Sequence, residues 1–251
     1  MRFRVKAFSL HLTGSACVLI LVLGALYFGW YRWPGWYLAQ ALHVAVVLTL
    51  VDVALGPTLT LIVANPGKPR RVLARDVAII VTVQIAALIY GAGTLWHGRP
   101  LYYTFSADRL EIVQASDIKP AEIALAQREN PSLAPHWYSL PRWVWAPLPD
   151  DPKLALKIVN SSIFGGEDVI DMPRYFKPWN QGLAKLRTQL VAVNDMTALS
   201  RAEKQHAAAF MAAHGLAPEK RNALVIYGDI QHVLAVFDLG TLQIRAIFRV
   251  N

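Results

Sequence analysis

Histidine, cysteine and carboxylate side chains carry most protein chemistry, and in this sequence their spacing forms no catalytic set. The seven histidines, His11, His43, His97, His136, His206, His214 and His232, include no HExxH pair, and Cys17 is the single cysteine, so no zinc shell is present. GxSxG, P-loop and GxGxxG sequences are absent as well. His206 and His214 lie eight residues apart on an expected helix, where an amphipathic surface accounts for them. Glu167, Asp168 and Asp171 form an acidic turn that lacks the alternating oxygen ligands of an EF-hand loop, so a solvated turn is expected in place of a Ca²⁺ site. With no nucleophile–base pair and no metal shell, the chain is expected not to be an enzyme and to need no metal or cofactor.

One carboxylate stands apart because of its surroundings. Asp52 lies in Val51-Asp-Val-Ala-Leu-Gly-Pro-Thr-Leu-Thr-Leu61, inside an apolar run from about 38 to 64. A helix over that run, rising about 1.5 Å per residue, exceeds the ~30 Å hydrocarbon thickness of a bilayer. An ionised carboxylate near its middle costs roughly 2.5 to 3.5 kcal/mol, so Asp52 should face other helices and find a partner or stay protonated. Pro57 removes a backbone donor and crowds the carbonyl near Val53, which should bend the helix, while Gly56 permits close approach of a neighbouring helix. Counting helical rise puts Asp52 at a depth similar to Tyr90 in a later apolar run, with Gln84 a turn or two shallower. The expected partner is Tyr90, Gln84 or Thr49. Asp52, Pro57, Gln84 and Tyr90 therefore make a candidate intramembrane site, read either as a helix-packing cluster or as a place that receives a partner's transmembrane segment.

The elements that must position this site are three apolar runs, at about 8–31, 38–64 and 77–96. The first follows the basic start Met1-Arg-Phe-Arg-Val-Lys6. It is too long for a signal-peptide core and ends in Tyr27-Phe-Gly-Trp-Tyr-Arg-Trp33, an interfacial aromatic belt, so a retained span is expected. Pro34-Gly35 makes a short turn that joins the first two spans into an antiparallel hairpin. Residues 1–98 carry eight Lys/Arg against two Asp/Glu, and the remainder seventeen against fifteen. The net +8 thus flanks apolar helices and does not cluster on a folded domain, which argues against nucleic acid as a partner. Basic residues gather at the N-terminus and in Asn65-Pro-Gly-Lys-Pro-Arg-Arg71, whereas the first connection has Arg32 alone. By the positive-inside rule the N-terminus is cytoplasmic and the region after Trp96 periplasmic.

That region, 99–251, reads as an α+β domain with an antiparallel sheet. Leu101–Phe105 and Leu110–Gln114 suggest a hairpin around Asp108, and three strands at 223–227, 233–237 and 243–248 suggest a closing meander. Helices are expected from Asp117 as cap to about Gln127, over 153–164, over 179–193, and over 200–214, the last with a Ser200/Glu203 capping box. Between Pro131 and Pro152 repeated prolines exclude regular helix. Its Trp137, Tyr138, Trp143 and Trp145 either pack that loop onto its own domain or form a periplasmic interface, since such anchors favour Trp and Tyr.

In Lys6-Ala-Phe-Ser-Leu-His11, Asp52-Val-Ala-Leu-Gly-Pro-Thr-Leu-Thr-Leu61, the Lys68 loop, and Arg99-Pro100 followed by Asp108-Arg-Leu-Glu-Ile-Val113, the chain resembles the type IV pilin accessory proteins (the TfpX/TfpZ group). The C-terminal part matches in outline only: Asp238-Leu-Gly-Thr241 stands where a more regular Asp-x-x-Thr-Gly turn is expected. The resemblance implies an inner-membrane, non-enzymatic, chaperone-like protein that binds the major pilin, by its transmembrane helix, its periplasmic head or both, and promotes its stability, assembly or surface display. It brings no catalytic residues. Membrane lipid is the other expected partner, and a membrane-anchored periplasmic ligand-sensing or binding protein is the alternative.

Overall fold

The computed structural model describes residues 2–107 and 109–250. Met1, Asn251 and Asp108, the residue expected at the tip of the first hairpin, lie outside them. The chain divides into two compact units, residues 1–32 with 40–98 and residues 33–39 with 99–251.

The first unit holds α1 (Arg2–Gly29), α2 (Ala41–Val63) and α3 (Arg70–His97), each long and apolar enough to cross a bilayer. Their outward surfaces expose Ile20, Leu21, Ile62 and Ile89, the composition that hydrocarbon solvates. α1 and α3 extend past the apolar runs into basic residues, and α3 starts where Pro69 breaks the preceding backbone. Pro57 neither breaks α2 nor leaves it regular. Residues Leu50–Leu55 form a π-helical turn, flanked by α-helix at Ala41–Thr49 and Gly56–Val63. Because proline cannot donate to the carbonyl one turn back and its ring displaces it, the preceding turn widens, and the widened turn carries Asp52. Two glycines bring α2 and α3 together: a side chain on Gly56 would overlap Gln84, and one on Gly91 would overlap Leu48.

The second unit is a sheet covered on both faces. Its strands are β1 (Pro100–Ser106), β2 (Arg109–Gln114), β3 (Arg142–Trp145), β4 (Lys177–Pro178), β5 (Ala223–Tyr227), β6 (His232–Phe237) and β7 (Ile244–Arg249), in the order β4-β3-β1-β2-β5-β6-β7. The β1–β2 hairpin and the β5-β6-β7 meander are antiparallel, but β1 runs parallel to β3 and β2 parallel to β5, so the sheet is mixed. Helices α4 (Pro120–Glu129), α5 (Pro152–Ile163), α6 (Leu183–Gln189) and α7 (Arg201–Ala213) pack around it. One face buries Tyr103, Phe105, Leu110, Ile226 and Val233 with Leu186 of α6 and with Leu38 from the connection between α1 and α2. Opposite lie Val225, Leu234 and Val236 with Met211 of α7, and Tyr102, Val113 and Val144 with Ile158 of α5. Two-sided burial explains why the central strands read as continuous apolar runs.

Three local expectations are corrected. Asp117 does not cap α4: its carboxylate accepts the Gln114 N–H at 2.7 Å, and the helix starts after Lys119 at Pro120. The 179–193 helix reduces to a 3₁₀ turn at Trp179–Gly182 and α6, because Val191 leaves the helix to exchange hydrogen bonds with Ala223 at 3.0 and 3.2 Å. The Pro-rich stretch, in turn, contains a strand, β3, placed between its prolines so that none interrupts the ladder.

Candidate functional site

In the first unit, polar side chains from all three helices meet around Asp52. Asp52, Thr60 and Gln84 are 4%, 2% and 7% exposed. Gln84 Nε2 donates to the Asp52 carbonyl at 3.1 Å and lies 3.5 Å from Ser15 Oγ, while His11 Nδ1 and Thr60 Oγ1 share a 2.6 Å hydrogen bond. The carbonyl Gln84 reaches lies in the π-helical turn, where the displaced ladder leaves acceptors open. Among the described residues, Asp52 Oδ2 and Gln84 Oε1 have no hydrogen-bond partner. Both side chains line a cavity of about 270 Å³ with His11, Ser15, Val18 and Ile85.

The expected partners of Asp52 thus separate. Gln84 joins the cluster as expected: its amide nitrogen donates to the Asp52 carbonyl, and its side chain also lies within hydrogen-bonding range of the Asp52 carboxyl group. Thr49 Oγ1 donates to Ala45 O at 2.8 Å on its own helix, and Tyr90 is 80% exposed. Pro57 is buried two residues after the π-helical segment. Sequence reasoning missed His11, Ser15 and Thr60. The available signal was spacing for one pair: His11 and Ser15 are four apart on α1 and share a face, whereas Asp52 and Thr60, eight apart on α2, are about 80° apart on a regular helix and are separated by the π-helical turn.

In the second unit, the aromatic candidates divide by exposure. Trp137 and Tyr138 are 73% and 59% exposed. Trp143 stacks on Tyr103 at 4.7 Å and Trp145 sits against Gly182 with Lys177 over its ring at 5.5 Å, so both pack the sheet. A different aromatic group, whose Trp33 the sequence assigns to an interfacial belt, is built by residues 33–39. The Arg249 guanidinium lies over Trp33, Trp36 and Tyr37 at 5.8, 5.1 and 4.4 Å. Trp33 Nε1 donates to Ile247 O at 2.9 Å and Tyr37 Oη to Gln231 Oε1 at 2.8 Å.

The acidic turn is knitted into the fold and not left to solvent. Asp168 and Asp171 form a capping box around Val169–Asp171, Arg109 reaches Asp168 at 3.3 Å, and Lys119 pairs with Glu167 at 3.1 Å. Burial first, and then neighbouring carboxylates, push the Asp171 carboxyl up to about 6 against a hydrogen bond from Asp168 N–H. Along β2 and β5 a cleft of about 780 Å³ is lined by Arg109, Glu111, Asp195, Tyr227 and Asp229.

Three proteins of Dichelobacter nodosus are similar to this chain. The fimbrial assembly protein of serogroup I is 27% identical over 188 residues, which cover 74% of this chain and 70% of that protein. Its serogroup E1 counterpart is 26% identical over 188 residues, with the same shares. The fimbrial assembly protein of serogroups C1 and C2 is 30% identical over 124 residues, 49% of this chain and 95% of that protein. No family model matches, and no solved structure does.

Proposed function

Because the chain belongs to the fimbrial assembly proteins, a type IV pilus accessory family that acts in pilus biogenesis, we propose that it binds the major pilin and promotes its stability, assembly or display without catalysing a reaction. The observation that carries this reading is the polar cluster held in mid-helix by α1, α2 and α3, with two buried acceptors left unsatisfied. A subunit whose own helix lies in the membrane can supply donors to them.

We place the second unit in the periplasm, on two supports. Basic residues flank the N-terminus and the 65–71 turn. Parity is the other: the 33–39 connection is part of the second unit, so it and residues after 98 must share one side. Three crossings satisfy that requirement; omitting the crossing by α3 does not.

The test is affinity capture of the tagged full chain from membranes with the major pilin gene present or deleted. Pilin is expected to co-purify at or near stoichiometric amounts and to disappear from the eluate in the deletion strain. Recovery at the level of an unrelated membrane protein refutes binding. A ligand-binding role for the outer domain is favoured by one observation, the cleft beside β2 and β5, and it predicts that changing Arg109 or Asp229 alters pilus output while pilin capture is unaffected.

A further inference from the structure

The geometry points to a specific chemistry for the pocket around Asp52: it receives a primary ammonium group carried into the middle of the bilayer by a second transmembrane segment. This rests on the reading above only in requiring a partner span, and not on that partner being the pilin.

The donors and acceptors inside the pocket do not balance. The Gln84 amide nitrogen is used on the Asp52 carbonyl and Ser15, and His11 Nδ1 is used with Thr60. Among the described residues nothing donates to Asp52 Oδ2 or Gln84 Oε1, atoms of residues that are 4% and 7% exposed. Hydrocarbon offers no water to satisfy them. What complements two orphan acceptors, one of them on a carboxyl group, is a group with several donors, no acceptor and a positive charge, which describes an ammonium or a guanidinium; of the two we take the ammonium, the compact point charge.

Depth selects its source. Asp52 is eleven residues from both Ala41 and Val63, about 16 Å along the axis from either end of α2. A lipid headgroup amine at the interface lies too far away, whereas a side chain or amine on a membrane-spanning segment reaches it. His11, Gly14, Ser15 and Val18 of α1 and Val81, Gln84, Ile85 and Leu88 of α3 line the pocket, and among the described residues Asp52 is its one lining residue from α2. Gly14 has nothing within 4 Å of where a β-carbon would stand, which leaves room for a helix to approach.

The test uses the purified full chain in phosphatidylcholine vesicles with synthetic spanning peptides of leucine and alanine. Each peptide carries a diazirine and one central Lys, Leu or Glu. After illumination, adducts are mapped by mass spectrometry. The Lys peptide is expected to mark residues 11–18 and 81–88 at least about tenfold more than the Leu or Glu peptides. Asp52→Asn should reduce it to the Leu level, and Val18→Trp, which adds bulk to the pocket lining and leaves the polar groups intact, should do the same; an unchanged melting temperature shows that each variant is folded. Equal marking by the three peptides, or marking that survives both variants in folded protein, overturns the proposal. Loss of the Lys preference when phosphatidylethanolamine is added would assign the amine to lipid and overturn it too. Failure here leaves pilin capture through the outer unit standing, and a Lys preference persists even where the captured subunit is not pilin.

Discussion

Leu38→Ala is expected to destabilise a sheet whose strands lie at least sixty residues further along the chain. Leu38 is fully buried and packs in the same cluster as Phe105, Leu110, Ile226 and Val233. Its backbone also presses on Gly228, where a β-carbon would overlap the carbon and oxygen of the Leu38 carbonyl. Neighbouring anchors, the Tyr37–Gln231 hydrogen bond and Arg249 over three rings, hold the turn in place, so the space left by truncation cannot close by withdrawing the loop. Leu-to-Ala changes at such sites cost about 2 to 5 kcal/mol. At about 3 kcal/mol the opening equilibrium of the surrounding strands rises roughly 150-fold. Amide hydrogen exchange on the full chain in detergent reads this directly: β5 and β6 amides should exchange about two orders of magnitude faster, with α1, α2 and α3 unchanged. Leu42→Ala, at a position 54% exposed on α2, is the control and should leave β5 and β6 as they are. Wild-type exchange in Leu38→Ala would show that the connection does not belong to the core of the outer unit, and the parity reasoning for its sidedness would fall with it.

Sidedness itself is open to cysteine labelling in a Cys17→Ser background. With an impermeant maleimide applied from the periplasmic side, Phe164→Cys, at a site 87% exposed, should label and Arg71→Cys should not; the reverse pattern would invert the orientation. Asp171 makes the outer domain pH-sensitive. Its carboxyl titrates near 6 in the fold against 3.8 ordinarily, so the stability that its protonated form contributes is complete below pH 4 and lost as pH rises through about 6. Allowing for partial solvent screening, Asp171→Asn should remove about 1 kcal/mol of that dependence and stabilise the domain at pH 7.5. Urea midpoints at pH 4.5 and 7.5 check this, and an unchanged difference between them would refute it. Gly56→Val should lower the yield or melting temperature of the membrane unit by displacing Gln84, while Gly14→Ala, facing open space, should not. Ser200→Ala should cost the fold about 1 kcal/mol through the lost cap of α7, read as a lower urea midpoint of the outer domain.

Features encoded by neighbours in sequence were legible in it. The three apolar helices, the β1–β2 hairpin, the β5-β6-β7 meander and the Ser200/Glu203 box each depend on residues close together in the chain. What escaped depends on pairings between distant segments. Nothing in Arg142–Trp145 announces that it lies parallel to β1, and the two-rung contact of Leu110 and Glu111 with Ile226 and Tyr227 has no local signature. The connection at 33–39 reads as a membrane-interface turn because Trp and Tyr next to a span ordinarily serve there. The same aromatics can close on an arginine, and Arg249 stands more than two hundred residues away.

The Asp52 site shows the same division within one cluster. That a carboxylate in an apolar run must turn inward follows from desolvation alone, and so does the expectation of a polar neighbour on another helix. Which neighbour depends on rotation of the helices as well as depth. Tyr90 was placed by depth, but it lies six residues beyond Gln84, about 600° of helical rotation at 100° per residue, and so on another side of α3. Gln84, by contrast, is admitted by the glycine at 56. The π-helical turn adds a further offset that no α-helical count contains, since the extra residue it accommodates rotates everything between Asp52 and Thr60 relative to a regular helix. Thr60 reaches His11 across that offset, with its hydroxyl and the imidazole 2.6 Å apart. The widened turn therefore joins the proline to the cluster: Pro57 displaces the backbone, and the displaced backbone offers the Asp52 carbonyl to Gln84.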